Sequence, residues 1–150
     1  AAGSLAGAPL GHDFCSISLS DLLTPWDTIK GRIVAAAKSD FVIAFYNPVS
    51  SKRINQFSEA HEILLIHRSP DTPVVLAHNL GRNGERVNVV TLSSIKPIEV
   101  NMLTVVIVGS SQSKNIQLPN GVVRVYTPRG YNKNGKLRKS YLLVEKHNQI

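Results

Sequence analysis

A chain of 150 residues with 43% hydrophobic content and near-zero mean hydropathy (−0.01) has the make-up of one ordinary globular domain. No apolar run approaches the ~20 residues of a membrane-spanning helix, and the first residues lack the basic-then-apolar pattern of a secretory signal. The lone Cys15 can close no internal disulfide, so a cytoplasmic setting is expected.

The net charge of +7 invites a nucleic-acid reading, but it is unevenly spread. Residues 131–150 hold five Lys or Arg against Glu145, a net of +4, which leaves +3 for the other 130 residues. No stretch interleaves aromatics with basic residues as stacking platforms would require.

In chain order, residues 1–8 are small and apolar and read as the last turns of a helix. Two glycines and a proline in 7–11 force a bend that carries His12 and Asp13, and 14–19 reads as a strand. Thr24 is placed to cap a helix, Pro25 suits its first turn, and Asp27 completes a capping box. The helix is expected over 25–38, with Trp26, Ile29, Ile33, Ala36 and Ala37 on one stripe. The apolar run 41–46 suits a central strand covered on both faces, and Asn47-Pro48 stops it. A second helix is expected over 52–67, with Ile54, Phe57, His61, Leu64 and Leu65 inward.

Strands follow at 74–78, 87–92, 104–108 and 122–126, with a short helical connector at 93–95. The tail shows a turn at Asn134-Gly135 and a weak apolar segment at 141–144. Alternating strands and helices predict an α/β fold: a mixed, mainly parallel sheet of five to six strands flanked by helices.

Four strand-ending segments share one chemistry: Tyr46-Asn-Pro, residues 77–82, Val108-Gly-Ser-Ser and residues 127–130. Each has a basic residue near it, and open α/β sheets bind ligands where such loops converge, so a polar anionic ligand fits. Asn, Gly and Pro also end strands with no ligand involved. His12 and Asp13 could act as an acid–base pair or simply stabilise the turn, and as neighbours on a strand they would point to opposite faces. Cys15 reads as a core residue and His61 as a core or interface residue, and His67 and His78 match no metal spacing. On the residues alone, an enzyme portion, a basic nucleic-acid-binding domain and a non-catalytic dimerising remnant all remain open.

Seven stretches occur in order: Gly7-Ala-Pro-Leu-Gly-His-Asp-Phe14, Ser18-Leu-Ser-Asp-Leu-Leu-Thr-Pro-Trp26, Asp40-Phe-Val-Ile-Ala-Phe-Tyr-Asn-Pro48, His67-Arg-Ser-Pro-Asp-Thr-Pro73, Asn79-Leu-Gly-Arg82, Met102-Leu-Thr-Val-Val-Ile-Val-Gly109 and Thr127-Pro-Arg-Gly-Tyr131. Together they resemble the C-terminal part of the tetrapyrrole methylase family, in the branch that methylates a corrin precursor at ring position 17 with ring contraction.

The resemblance covers about residues 1–131 and implies S-adenosylmethionine as methyl donor. It implies Tyr46, Asn47, Asn79, Leu80, Leu103 and Thr104 as the donor-binding positions. It implies His12 as the catalytic candidate near the substrate trough, with Asp13, Arg82 and Arg129 on the substrate side. No metal ligands are implied. On this reading residues 1–8 end an interdomain helix and 132–150 are a basic tail. An N-terminal domain carrying the rest of the donor pocket is expected to be missing. The expected partners are that domain, a tetrapyrrole substrate and a second copy in a homodimer, with neither nucleic acid nor membrane.

Overall fold

The computed structural model describes residues 1–130, so the turn and apolar segment expected in the tail lie outside the described residues. Five strands make the main sheet, in the order β2-β3-β6-β4-β5. They are β2 (Phe14–Ser18), β3 (Val42–Tyr46), β4 (Pro73–His78), β5 (Arg86–Thr91) and β6 (Thr104–Val108). Helices α2 (Trp26–Lys38) and α3 (Gln56–His67) cover one face of it. The short helix α1 (Ala2–Ala6) lies on the other face, where β1 (Gly7–Ala8), β8 (Val123–Tyr126) and β7 (Lys114–Gln117) form a separate small sheet.

The two-residue period of the strands explains the two cores. Ile43 and Phe45, Val74 and Leu76, and Val106 and Val108 point to the helices, where they meet Ile29, Ile33 and Ala37 of α2 and Phe57, Ala60 and Leu64 of α3. Their neighbours Val42, Val75, Ala77 and Ile107 point the other way and meet Ala2, Ala6 and Val125. With both faces covered, the continuous apolar runs of β3, β4 and β6 are accounted for.

The sheet is mixed and flanked by helices, as expected, but it is not mainly parallel. Only β2 and β3 pair in parallel; β3–β6, β6–β4 and β4–β5 are antiparallel. The reason lies in the connections. A hairpin reverses the chain between β4 and β5, so that His78 faces Arg86 and Pro73 faces Thr91. Residues 92–103 then cross the helical face, burying Leu92, Ile95 and Val100, and return to the end where β5 began. β6 therefore runs with β5 and slots between β3 and β4 against the direction of both. β2, β3 and β4 end at one edge of the sheet, where β6 begins; β6 ends at the opposite edge.

Helix boundaries also depart from expectation. Thr24 makes no capping bond: Pro25 is extended (φ −54°, ψ 138°) and itself precedes the first turn of α2, while Asp27 pairs with Lys30 at 2.8 Å. α3 starts at Gln56, four residues later than expected at Lys52, because Ser50 and Arg53 close a tight bridge. β7 is a strand that the sequence pattern does not suggest, since Lys114-Asn-Ile-Gln117 has one apolar residue in four. None of the described helices is long and apolar enough to cross a membrane.

Candidate functional site

The end of the sheet where β2, β3 and β4 stop carries a cavity of about 190 Å3. Two asparagines shape it. Asn47, directly after β3, and Asn79, directly after β4, both stand in the left-handed region (φ 50° and 52°). Asparagine tolerates that conformation better than other side chains with a Cβ, and it bends both chains sharply off the sheet. Asn47 also precedes Pro48, a position normally held extended by the proline ring. Two such departures around one cavity mark it as a place where geometry outweighs local comfort.

Neighbouring groups fix the loops. Arg53 reaches back from the β3–α3 connection and donates Nη1 hydrogen bonds to the carbonyls of Leu19 (2.9 Å) and Asn47 (3.0 Å), joining the ends of β2 and β3. Asp21 lies 3.7 Å from its Nε and also accepts from Gln56 at 2.9 Å. Arg53 is thereby consumed as a clasp and is not offered to a ligand. The Leu19 amide donates to the Tyr46 carbonyl (3.1 Å) and the Asn79 amide to the Leu103 carbonyl (3.1 Å), which draws the mouth of β6 against the end of β4. Beyond Asn79, the Gly81 amide donates to Glu85 at 2.6 Å and leaves Arg82 exposed at the tip.

Seven residues named from the sequence line this one cavity: Tyr46, Asn47, Asn79, Leu80, Arg82, Leu103 and Thr104. Met102 and Val105 complete it, and neither is among the site residues expected from the sequence. Met102 is the chain's single methionine and is 60% exposed, an apolar side chain at a strand mouth that could have signalled a contact surface. The lining offers an aromatic ring, aliphatic surface, two side-chain amides and one cation. Its one aliphatic hydroxyl, that of Thr104, is engaged with His78 and Asn101, so what the lining presents is suited to holding a ligand.

The other three named residues lie elsewhere. His12 and Asp13 precede β2, and the five-residue strand, roughly 16 Å long, separates them from the cavity. They do not diverge as neighbours on a strand would. Both lie just before the strand, and His12 Nδ1 comes within 3.8 Å of Asp13 Oδ1. Arg129 is exposed on the turn after β8. That turn is held to the His12 side, because Thr127 donates to the Pro9 carbonyl at 2.6 Å. The four strand-ending loops thus do not converge as one set. The loops at 46–48 and 77–82 meet at the cavity; those at 109–111 and 127–130 meet at the opposite edge, through Ser113 and Thr127 at 2.7 Å.

Cys15 is half-buried against the helical core, and burial pushes its thiol up, away from the reactive thiolate. His61 contacts the Leu92 carbonyl at 2.7 Å, a core-edge hydrogen bond. Among the described residues no group of three or more His, Cys, Asp or Glu is arranged to hold a metal ion.

Comparison with known proteins gives this geometry a setting. Residues 1–96 match the family described as tetrapyrrole (corrin/porphyrin) methylases. The cobalt-factor III methyltransferase of Priestia megaterium is 45% identical over 147 residues, which are 98% of this chain and 26% of that protein. The precorrin-3B C(17)-methyltransferase of Sinorhizobium sp is 44% identical over 125 residues, 83% of this chain and 49% of that protein. The crystal structure of the methyltransferase CobJ superposes with a TM-score of 0.78 at 40% identity, over 85% of this chain and 51% of that one. The chain thus spans from about a quarter to about half the length of these relatives. With more than half of its length matched by the family and its fold shared with a solved relative, the chain belongs to the tetrapyrrole (corrin/porphyrin) methylases.

Proposed function

We propose that this chain forms the second domain of an S-adenosylmethionine-dependent methyltransferase that acts on a corrin precursor at C-17, with ring contraction, in cobalamin biosynthesis. One observation carries the reading: all six positions that the resemblance implies for the donor, with Arg82, line a single cavity, and that cavity is too small to work alone. Its 190 Å3 falls below the roughly 300 Å3 at which small-molecule sites begin, as a half-site completed by another surface would. The loop that leaves β2 at the same end of the sheet agrees, since it carries Leu22 and Leu23 at 83% and 93% exposure. The chain's partial coverage of its relatives supports the same view.

The residues fit the donor by class. Tyr46, Leu103 and Met102 offer flat and aliphatic surface to an adenosyl group, and Asn47, Asn79 and the backbone around them offer hydrogen bonds. When bound, the donor supplies an electrophilic methyl group. This chain's part is to hold and orient it and to exclude water from one side. Arg82 stands at the cavity's edge, placed for a carboxylate of the macrocycle. His12, at the other end of β2, takes no part in holding the donor; Asp13 and Arg129 share its end. Relatives of both kinds, named for cobalt-factor III and for precorrin-3B, leave the metal content of the substrate outside the proposal.

Isothermal titration with S-adenosylhomocysteine tests this. Weak binding is expected for the chain alone, and tight binding once an N-terminal half from a relative is supplied. No binding in either state would sink the function, and tight binding by the chain alone would sink the half-site. Assembly as a homodimer belongs to the same reading and is checked by sizing in solution.

A further inference from the structure

Behind the cavity wall lies a buried histidine that the donor reading does not use. His78, the last residue of β4, is 2% exposed, and its Nδ1 lies 3.0 Å from Thr104 Oγ1, directly across the β4–β6 pairing. Thr104 Oγ1 accepts from the Asn101 amide at 3.0 Å and donates to Asn101 Oδ1 at 3.1 Å. Asn101 Oδ1 in turn accepts from the Leu103 amide at 2.9 Å, and the Leu103 carbonyl accepts from the Asn79 amide at 3.1 Å. Asn79 follows His78, so the chain of bonds closes into a ring joining both walls of the cavity to one imidazole.

Proton counting fixes the imidazole's role. A threonine hydroxyl has one proton, which here goes to Asn101 Oδ1, so its contact with His78 is met when Nδ1 carries the hydrogen. Nε2 is then the bare acceptor. His78 also lines a groove of about 820 Å3 along β5, shared with Arg86, Glu99 and Arg124. Arg86 is its register partner on β5, and Glu99 lies on the 97–99 turn that leads into Asn101.

We propose that His78 is a positioning residue for the donor pocket: as a neutral Nδ1-H imidazole it holds Thr104 and Asn101, and through them the 101–104 turn, in the form that gives the cavity its wall. This rests on the donor reading of the cavity. Burial, and then the Arg86 charge, hold the imidazole below its ordinary pKa despite Glu99, which keeps it neutral near pH 7. Protonation would add its hydrogen at Nε2, leaving the Nδ1–H bond to Thr104 in place, and would put a second positive charge beside Arg86 that the 101–104 amides sense through the same bonds.

The test is a pH titration of the full chain by amide NMR, from above to below the ordinary histidine pKa of about 6.5. Amides of Asn79, Asn101 and Leu103 should shift with the His78 ring, at one midpoint below that value. In His78→Asn, whose side-chain amide can reach the place of Nδ1 but cannot titrate, those midpoints should vanish while S-adenosylhomocysteine still shifts the same amides. His78→Leu, unable to bond Thr104, should bind S-adenosylhomocysteine about tenfold more weakly. The proposal is overturned if the three amides ignore the His78 midpoint, if they still titrate in His78→Asn, or if His78→Leu binds as the native chain does. If S-adenosylhomocysteine shifts no amide in the native chain, even with the N-terminal half supplied, the donor reading falls. The pH coupling of the three amides then still decides whether His78 governs the turn.

Discussion

The two ends of the main sheet are made of similar residues and do opposite things. At the end opposite the cavity, Asp40 also stands in the left-handed region, with φ 60°, just before β3. Its carboxylate is used up inside the protein. It accepts from Arg68 at 2.9 Å, from the Ser111 amide at 2.8 Å and from the Ser111 hydroxyl at 2.6 Å. Arg68, with a side chain 2% exposed, also donates to the carbonyls of Gly109 (3.0 Å), Ala36 (3.3 Å) and Phe41 (2.6 Å). That end spends its polar groups on the fold, even though a cavity of about 240 Å3 lies against Asp40 and Arg68. At the cavity end, the side-chain amides of Asn47 and Asn79 make only long contacts of 3.4 Å among the described residues, and Tyr46, Met102 and Leu103 are exposed. Polar loops at strand ends are therefore not a binding signature by themselves. What separates the two ends is whether the polar groups are satisfied from within.

Breaking the closed end should cost most. Arg68→Met would take the cation from Asp40 and the guanidinium donor from three backbone carbonyls, a loss of about 3–5 kcal/mol for a broken buried pair. Urea unfolding should show a lower midpoint with an unchanged slope. If the cost were under a third of that, the closed end would not be the structural clasp described. At the open end the balance reverses. Tyr46→Ala should lower stability by less than about 1 kcal/mol, yet weaken S-adenosylhomocysteine about tenfold once the N-terminal half is supplied. Titration calorimetry and unfolding on the same samples read both. A large stability loss with no change in affinity would place Tyr46 with the scaffold.

A smaller effect follows from His78, beneath the open end. Its pKa is lowered in the folded chain, so over the interval below about 6.5 the unfolded state binds more protons than the folded one. The stability due to neutral His78 is therefore complete above that value and drains away as pH falls toward the folded pKa. Thermal melts across this range should decline on the acid side, and less steeply in His78→Asn. Arg86→Gln should narrow the window, since it removes one of the charges that disfavour the imidazolium. A pH-independent melt in the native chain would contradict the buried network.

How far the sequence reveals this contrast depends on what periodicity encodes. The β-branched run of β6 marks its bounds, Thr104 to Val108, and the continuous apolar run of β3 marks a strand covered on both faces. Strand direction is not written in a two-residue period, so the pattern alone groups β6 with the parallel strands. That grouping puts Val108-Gly-Ser-Ser at the wrong end of the sheet. The cavity residues are legible only through the resemblance, which singles out residues that flank β3, β4 and β6. His78 is not, since a lone histidine closing an apolar strand gives no sign of the partner that a neighbouring strand brings. The capping box fails for a local reason: with Pro25 extended, Thr24 lies outside the first turn.

The smallest effect tests the contrast most finely. Asn79 and Asp40 share the left-handed backbone, and glycine adopts it without strain, at the cost of more freedom in the unfolded chain. In Asn79→Gly these terms nearly cancel, and only the 3.4 Å contact of Nδ2 with the Gly84 carbonyl is lost. Stability should change by no more than about 0.5 kcal/mol, while S-adenosylhomocysteine binding weakens through the missing amide. Asp40→Gly keeps the backbone equally relaxed but strips the acceptor from Arg68 and Ser111, so it should follow Arg68→Met in unfolding and leave ligand binding alone. If the two glycine variants were destabilised alike, the side chain of Asn79 would be tied into the fold as firmly as that of Asp40. The cavity end would then be a second clasp, and its asparagines would have nothing to offer a ligand.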